Sequence, residues 1–235
     1  MKNQFFKGVR HGIPIGLGYL SVSFGFGIMA VRAGISAAAA VGISMTNLTS
    51  AGQAAGVAII AAGGSLVEMA LVQLTINMRY ALMGLSLSQK LDKSFTFPHR
   101  LAASFGITDE IFAVASSQPN KITPSYMYGM IAAAFIGWSG GTFLGAYAGQ
   151  ILPADLTNAM GIALYGMFMA IIIPPSVKHK NVLAAVLAAA AVSVLFRYVF
   201  TQVSTGFAVI ISAAAASVMA AILFPVDNDS REETE

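Results

Sequence analysis

The chain has no cysteine, one tryptophan, three histidines and only 10% charged residues among its 235. Without thiols there can be no disulfide, thiolate metal site or cysteine nucleophile. The scarcity of charge excludes an ordinary soluble domain, in which about a quarter of residues are charged. There is no Walker-type loop to cradle phosphates and no His-Glu-x-x-His pair to hold zinc. His11, His99 and His179 each stand next to Lys or Arg at the edge of an apolar stretch, away from any serine or carboxylate at depth. A Ser-His hydrolase is therefore not expected. Neither an enzyme nor a bound cofactor or metal is anticipated.

What the chain has is apolar surface. It is 57% hydrophobic with a mean hydropathy of +0.75. Several stretches approach the ~20 residues that span a bilayer. The expected fold is an all-α polytopic membrane protein of about seven hydrophobic segments, one transport domain over residues 1–235 with an acidic cytoplasmic tail at 226–235. The net charge of +3 sits in loops, where membrane topology explains it, and implies no nucleic acid. Gly12 and Gly16 in the first segment have the small-xxx-small spacing that lets helices approach closely in lipid. Gly137, Gly141, Gly145 and Gly149 form a ladder at every fourth residue of segment Ser125–Gln150. Such a ladder marks a tight helix contact, within the protein or with a partner. The pair Pro174–Pro175 should end the segment that begins at Thr157. Tyr19, Tyr80, Trp138 and the other tyrosines are assigned to interfacial belts, with no site among them.

One stretch interrupts the apolar pattern. Ser44–Gln53, SMTNLTSAGQ, lies inside the run Ile35–Ala62 and carries four hydroxyls, two carboxamides and Gly52. A lipid-facing helix would gain nothing from these groups. A helix that unwinds at membrane depth would use them to offer backbone and amide groups to a polar solute.

Charge parity points to the same stretch. Lys2, Lys7 and Arg10 place the N-terminus in the cytoplasm, and the loop with Lys90, Lys93 and Arg100 belongs there too. Three segments precede that loop where an even number of crossings is needed. The conflict disappears if Ile35–Ala62 enters and returns on one side. The same count recurs before Lys178–Lys180, so either Leu101–Ser117 or Ser125–Gln150 also fails to cross. Two halves with one discontinuous element each would make an inverted repeat, as in secondary transporters.

Ionisable groups at depth are costly and mark function. Glu68, Val72, Thr75 and Arg79 share one helix face by spacing, and Asn77 lies in the same segment. Glu68 and Arg79 are expected to line one polar pathway, with an Arg79 that snorkels at the interfacial end of a shorter helix as the plainer reading. Asp109 and Glu110 are adjacent carboxylates in the segment Leu101–Ser117; they suit proton coupling, with a helix N-cap as the plainer reading. Candidate substrate ligands are Thr46, Asn47, Thr49, Ser50, Gly52, Gln53, Asn77 and Arg79; candidate coupling residues are Glu68, Asp109 and Glu110.

The order of motifs resembles the AzlC-type large subunit of branched-chain amino acid exporters. The resemblance rests on GIPIGLGYLSVSFGFG, SMTNLTSAGQ, NMRYALMGLSLS and FGITDEIF, with Trp138, the glycine ladder and the run ending in IIIPP later on. It implies a secondary exporter in the cell membrane that moves leucine, isoleucine, valine and sometimes methionine outward. It also implies use of the proton-motive force and a small hydrophobic AzlD-like partner subunit. Two other readings fit the residues: a passive channel or uniporter for small neutral solutes, and a non-transporting assembly subunit that docks through its glycine ladder.

Overall fold

The computed structural model describes residues 2–148, 151, 153, 166, 169 and 172–225. Among these residues the regular structure is helical. In chain order the helices are α1 Lys2–Arg32, α2 Ala37–Thr46, α3 Ser50–Ala61, α4 Leu66–Ser88, α5 Phe97–Ser104, α6 Asp109–Ser116, α7 Pro124–Ala148, α8 Lys180–Tyr198 and α9 Thr205–Leu223. Four of them (α1, α7, α8 and α9) are long and apolar enough to cross a membrane. Helix α4 is 23 residues long but carries Glu68, Gln73, Asn77 and Arg79. Most of the expected segment Thr157–Pro175 lies outside the described residues. Its end departs from expectation, because residues 172–178 are helical through both prolines. Pro175 still offers its carbonyl, which accepts from His179 N at 2.9 Å; a proline removes a donor, not an acceptor.

The centre of the protein is the pair α1 and α7. Gly8 lies against Tyr126, Gly12 against Met130, Gly16 against Ala133 and Gly137, and Gly27 against Thr142. From the other side Gly141 meets Leu20 and Ser23, and Gly145 meets Phe24. A Cβ on Gly12 would stand 2.6 Å from the Met130 carbonyl oxygen, so only glycine permits this backbone approach. The ladder's contact is therefore with α1 of the same chain, not with a docking partner; Gly149 lies outside the described residues. Residue numbers rise together along the two helices, so α1 and α7 run parallel. Between Arg32 and Pro124 the chain must return once.

Helix α4 makes that return. Its C-terminal Leu87 joins the cluster around Met127, near the start of α7. The pairs α2–α3 and α5–α6 fold back on themselves. Ala40 of α2 and Val57 of α3 pack together with Phe26, Ala30 and Ala146, toward the C-terminal ends of α1 and α7. At the tip of this hairpin Gln53 Nε2 donates to Ser44 Oγ at 3.2 Å. The second hairpin occupies the other end: Phe95, before α5, and Ala115, in α6, share the cluster of Met127. Lys90 holds its exit by donating to the carbonyls of Ser116 and Gln118. Thus Leu101–Ser117 is divided between two helices, α5 and α6, while α7 is continuous.

Local chemistry explains both breaks. Asn47 is extended (φ −150°, ψ 119°), and its Oδ1 accepts from Thr49 N at 3.0 Å. Thr49 then caps α3, its Oγ1 accepting from Gly52 N at 3.2 Å. Thr108 caps α6 in the same way, accepting from Ile111 N at 3.4 Å. Each threonine satisfies an N–H that the first turn of a helix would leave open.

Candidate functional site

The tips of the two hairpins meet beside the middle of α1 and α7. Tyr19 of α1 donates to Thr108 Oγ1 at 2.7 Å and contacts a Glu110 carboxylate oxygen. Its ring stands edge-on to Trp138 of α7, with centroids 5.2 Å apart. Leu48, at the first tip, packs in the same cluster. Between these groups lies a cavity of about 220 Å³. A dry cavity of ~150 Å³ takes a benzene ring, so this one has room for a solute slightly larger.

Its lining divides by chemistry. Ser50 and Ala51 bring the N-terminus of α3, and Asp109 and Glu110 the first turn of α6. Both helices therefore aim positive dipole ends at the cavity, and the two acids occupy one of them. Arg79 of α4 faces them, with Nη1 3.0 Å from Asp109 Oδ2. Its Nη2 donates to Tyr80 OH at 3.2 Å, and its Nε is buried with no hydrogen-bond partner. Leu48, Trp138 and Ile172 supply apolar wall. A fixed cation, a helix N-terminus without an acidic residue and two carboxylates around one small volume suit a solute bearing both charges. Among the described residues no group of three or more His, Asp or Glu side chains could hold a metal ion.

A buried hydrogen-bond chain stiffens the first tip. Trp138 Nε1 donates to Gln53 Oε1 at 3.0 Å, Gln53 donates to Ser44, and Ser44 Oγ lies 2.7 Å from Thr142 Oγ1. Gln73 Nε2 donates to Gly52 O at 2.7 Å.

The expected site residues thus separate into groups. Ser50, Arg79, Asp109 and Glu110 line the cavity. Thr46, Asn47, Thr49 and Asn77 line a neighbouring one. Gln53 is 2% exposed, and with Gly52 it belongs to the supporting network. Glu68 is elsewhere. It sits in the first turn of α4, where Oε1 accepts from Ser204 Oγ at 2.5 Å and from Gly206 N at 2.8 Å, at the start of α9. The pathway expected from the shared face of Glu68 and Arg79 is not built, because the two ends of that face serve different helices. Tyr19, Tyr80 and Trp138 were assigned to belts, yet they wall the cavity. Their signal was position: Tyr19 lies mid-way along one glycine-faced helix and Trp138 mid-way along the other.

Parallel glycine-packed helices, two hairpins of short helices and a charged central cavity make up a helical membrane protein. A model of the AzlC protein family matches residues 14–152, and the chain belongs to that family. An Archaeoglobus fulgidus protein described as an uncharacterized membrane protein is 32% identical over 78% of this chain and 80% of its own. Inner membrane protein YgaZ of Escherichia coli is 30% identical over 82% of each chain. A Helicobacter pylori membrane protein is 25% identical over 83% of this chain and 88% of its own. No solved structure matches.

Proposed function

We propose that the chain is a secondary exporter of branched-chain amino acids, with the cavity between the hairpin tips as its substrate site. The observation that carries this reading is the pairing of opposite charges in one small cavity. Arg79 and the N-terminus of α3 would take the carboxylate of the zwitterion, with the Ser50 hydroxyl beside them. Asp109 and Glu110 would take the ammonium. Leu48, Trp138 and Ile172 would cover an aliphatic side chain. A coupled proton would be carried by Asp109 or Glu110, released from Arg79 or Tyr19 as the substrate exchanges partners.

The hairpins are proposed as re-entrant elements that enter from opposite faces of the membrane. The parallel course of α1 and α7 supports this, since α4 alone then provides the return crossing. Each hairpin followed by a long helix, α2–α3 with α4 and α5–α6 with α7, would be one unit of an inverted repeat. The N-terminus and the Lys90–Arg100 loop, with their positive charges, would then lie on the cytoplasmic side of the cell membrane. The family resemblance supports a small AzlD-like partner.

Leucine efflux from dipeptide-loaded cells tests the reading, with the chain expressed alone and with an AzlD-like subunit. Faster release that a protonophore abolishes is the expected result. Release at the rate of control cells in both settings would overturn it.

A further inference from the structure

A separate cavity of about 170 Å³ lies between the C-terminal end of α4 and helix α5. It shares no lining residue with the charged cavity. Leu87, Leu91, Phe95, Ala103 and Met127 make its wall largely carbon. Ser88 and Ser104 reach it as well, but their hydroxyls donate back to Leu85 O and Leu101 O of their own helices. A polar solute here would lose its hydrogen bonds to water and gain few in return. By the measure of benzene in ~150 Å³, the cavity holds about six carbons. Leu85 and Leu101, next in sequence to the lining residues Gly84 and Arg100, are 67% and 65% exposed. The cavity therefore borders a surface of the kind that lipid hydrocarbon covers.

One group in the wall is charged. Arg100, exposed in the first turns of α5, lines the cavity. Its Nε donates to Phe95 O at 3.4 Å, and no acid among the described residues forms an ion pair with it. Asp92, the acid of the adjoining loop, accepts from Ser94 N at 2.8 Å instead. Lys90 and Lys93 add positive charge to that loop. An apolar cavity beside lipid, with an unpaired guanidinium in its wall, fits a molecule with a hydrocarbon tail and an anionic head. We propose that it is a specific site for a phospholipid of net negative charge, with part of one acyl chain in the cavity and the phosphate on the terminal nitrogens of Arg100. The carbon wall selects a ligand with a tail over a free anion. A zwitterionic headgroup would bring another cation to the basic loop, so the anionic lipid is preferred. The site stands independently of the amino-acid reading.

Native mass spectrometry tests this on the full chain, purified in detergent with equal amounts of dioleoyl phosphatidylglycerol and dioleoyl phosphatidylcholine. Phosphatidylglycerol should be retained about fivefold over phosphatidylcholine, the preference that one arginine near a membrane surface supplies. Arg100→Gln should retain the two lipids equally. Gly84→Leu should lose both, because a Cβ at Gly84 meets nothing within 4 Å and the longer side chain takes up the cavity. Ser104→Leu fills the cavity from α5 and serves as the second variant should Gly84→Leu fail to fold. Excess glycerol phosphate, a headgroup without tails, should displace no lipid. Equal retention of the two lipids by the parent would overturn the proposal, as would a phosphatidylglycerol preference that survives Arg100→Gln. Lipid retained undiminished in the filled variants would overturn it too. Displacement by glycerol phosphate would make this a site for a small anion and overturn the lipid assignment.

Discussion

Replacing Arg79 with glutamine should separate substrate recognition from stability. The guanidinium lies 3.0 Å from Asp109, and the two side chains are 38% and 30% exposed. A pair this accessible is screened, so its loss should cost stability less than about 1 kcal/mol. That corresponds to a fall in Tm of roughly 2–4 °C at most for a chain of this length. The bound carboxylate is affected differently. Hydrogen bonds to charged groups contribute about 1.5–3 kcal/mol, and each ~1.4 kcal/mol is tenfold in Kd. Leucine affinity should therefore fall by roughly one to two orders of magnitude. Trp138, the one tryptophan, walls the cavity, so its fluorescence reports occupancy directly. Titration of the purified variant should show the weakened binding beside a nearly unchanged melting curve. Arg79→Lys should recover affinity only in part, because an ammonium cannot bind a carboxylate through two parallel N–H groups. Unaltered leucine affinity in Arg79→Gln, or a large loss of Tm with affinity intact, would make the Arg79–Asp109 pair a structural strut.

Other perturbations follow the same geometry. Asp109→Asn should leave leucine efflux running but insensitive to an imposed pH gradient, measured in vesicles with a pH-reporting dye. Glu68→Ala removes the acceptor for Ser204 and Gly206 and should lower stability by about 1–3 kcal/mol, while the pH dependence of efflux stays as in the parent. Trp138→Phe leaves Gln53 Oε1 without its donor; a double-mutant cycle with Gln53→Leu should give a coupling near the ~0.6 kcal/mol typical of hydrogen bonds in membranes. Gly16→Val forces a branched side chain against the Ala133 and Gly137 backbone, at a cost of about 1–3 kcal/mol or more, and should reduce the monodisperse fraction on size exclusion.

The fold was legible where composition and backbone chemistry coincide. SMTNLTSAGQ announced a break because the asparagine amide and the threonine hydroxyls compete with helix hydrogen bonds, and α2 ends and α3 begins inside it. FGITDEIF carries the same threonine cap, but its brevity hid that α5 and α6 are two helices. The glycine ladder marked a close contact without naming the partner, since spacing along one helix holds no information about which helix it meets. The carboxylates Asp109 and Glu110 were found from their cost in an apolar segment. Glu68 was placed in the same pathway for the same reason, and the inference failed because a helix N-terminus 138 residues further along the chain satisfies its charge. Tyr19 and Trp138 were missed because an aromatic residue in an apolar segment has several ordinary uses, and only the packing of α1 on α7 turns both toward one cavity.

The most direct test reconstitutes the purified chain, with and without an AzlD-like subunit, in vesicles loaded with leucine and a pH-reporting dye. An imposed gradient, acidic on the side to which leucine moves, should accelerate its release and carry protons in the opposite direction, and Asp109→Asn should abolish both effects. Leucine release at one rate with and without the gradient, and no accompanying proton movement, would contradict proton-coupled export through this site.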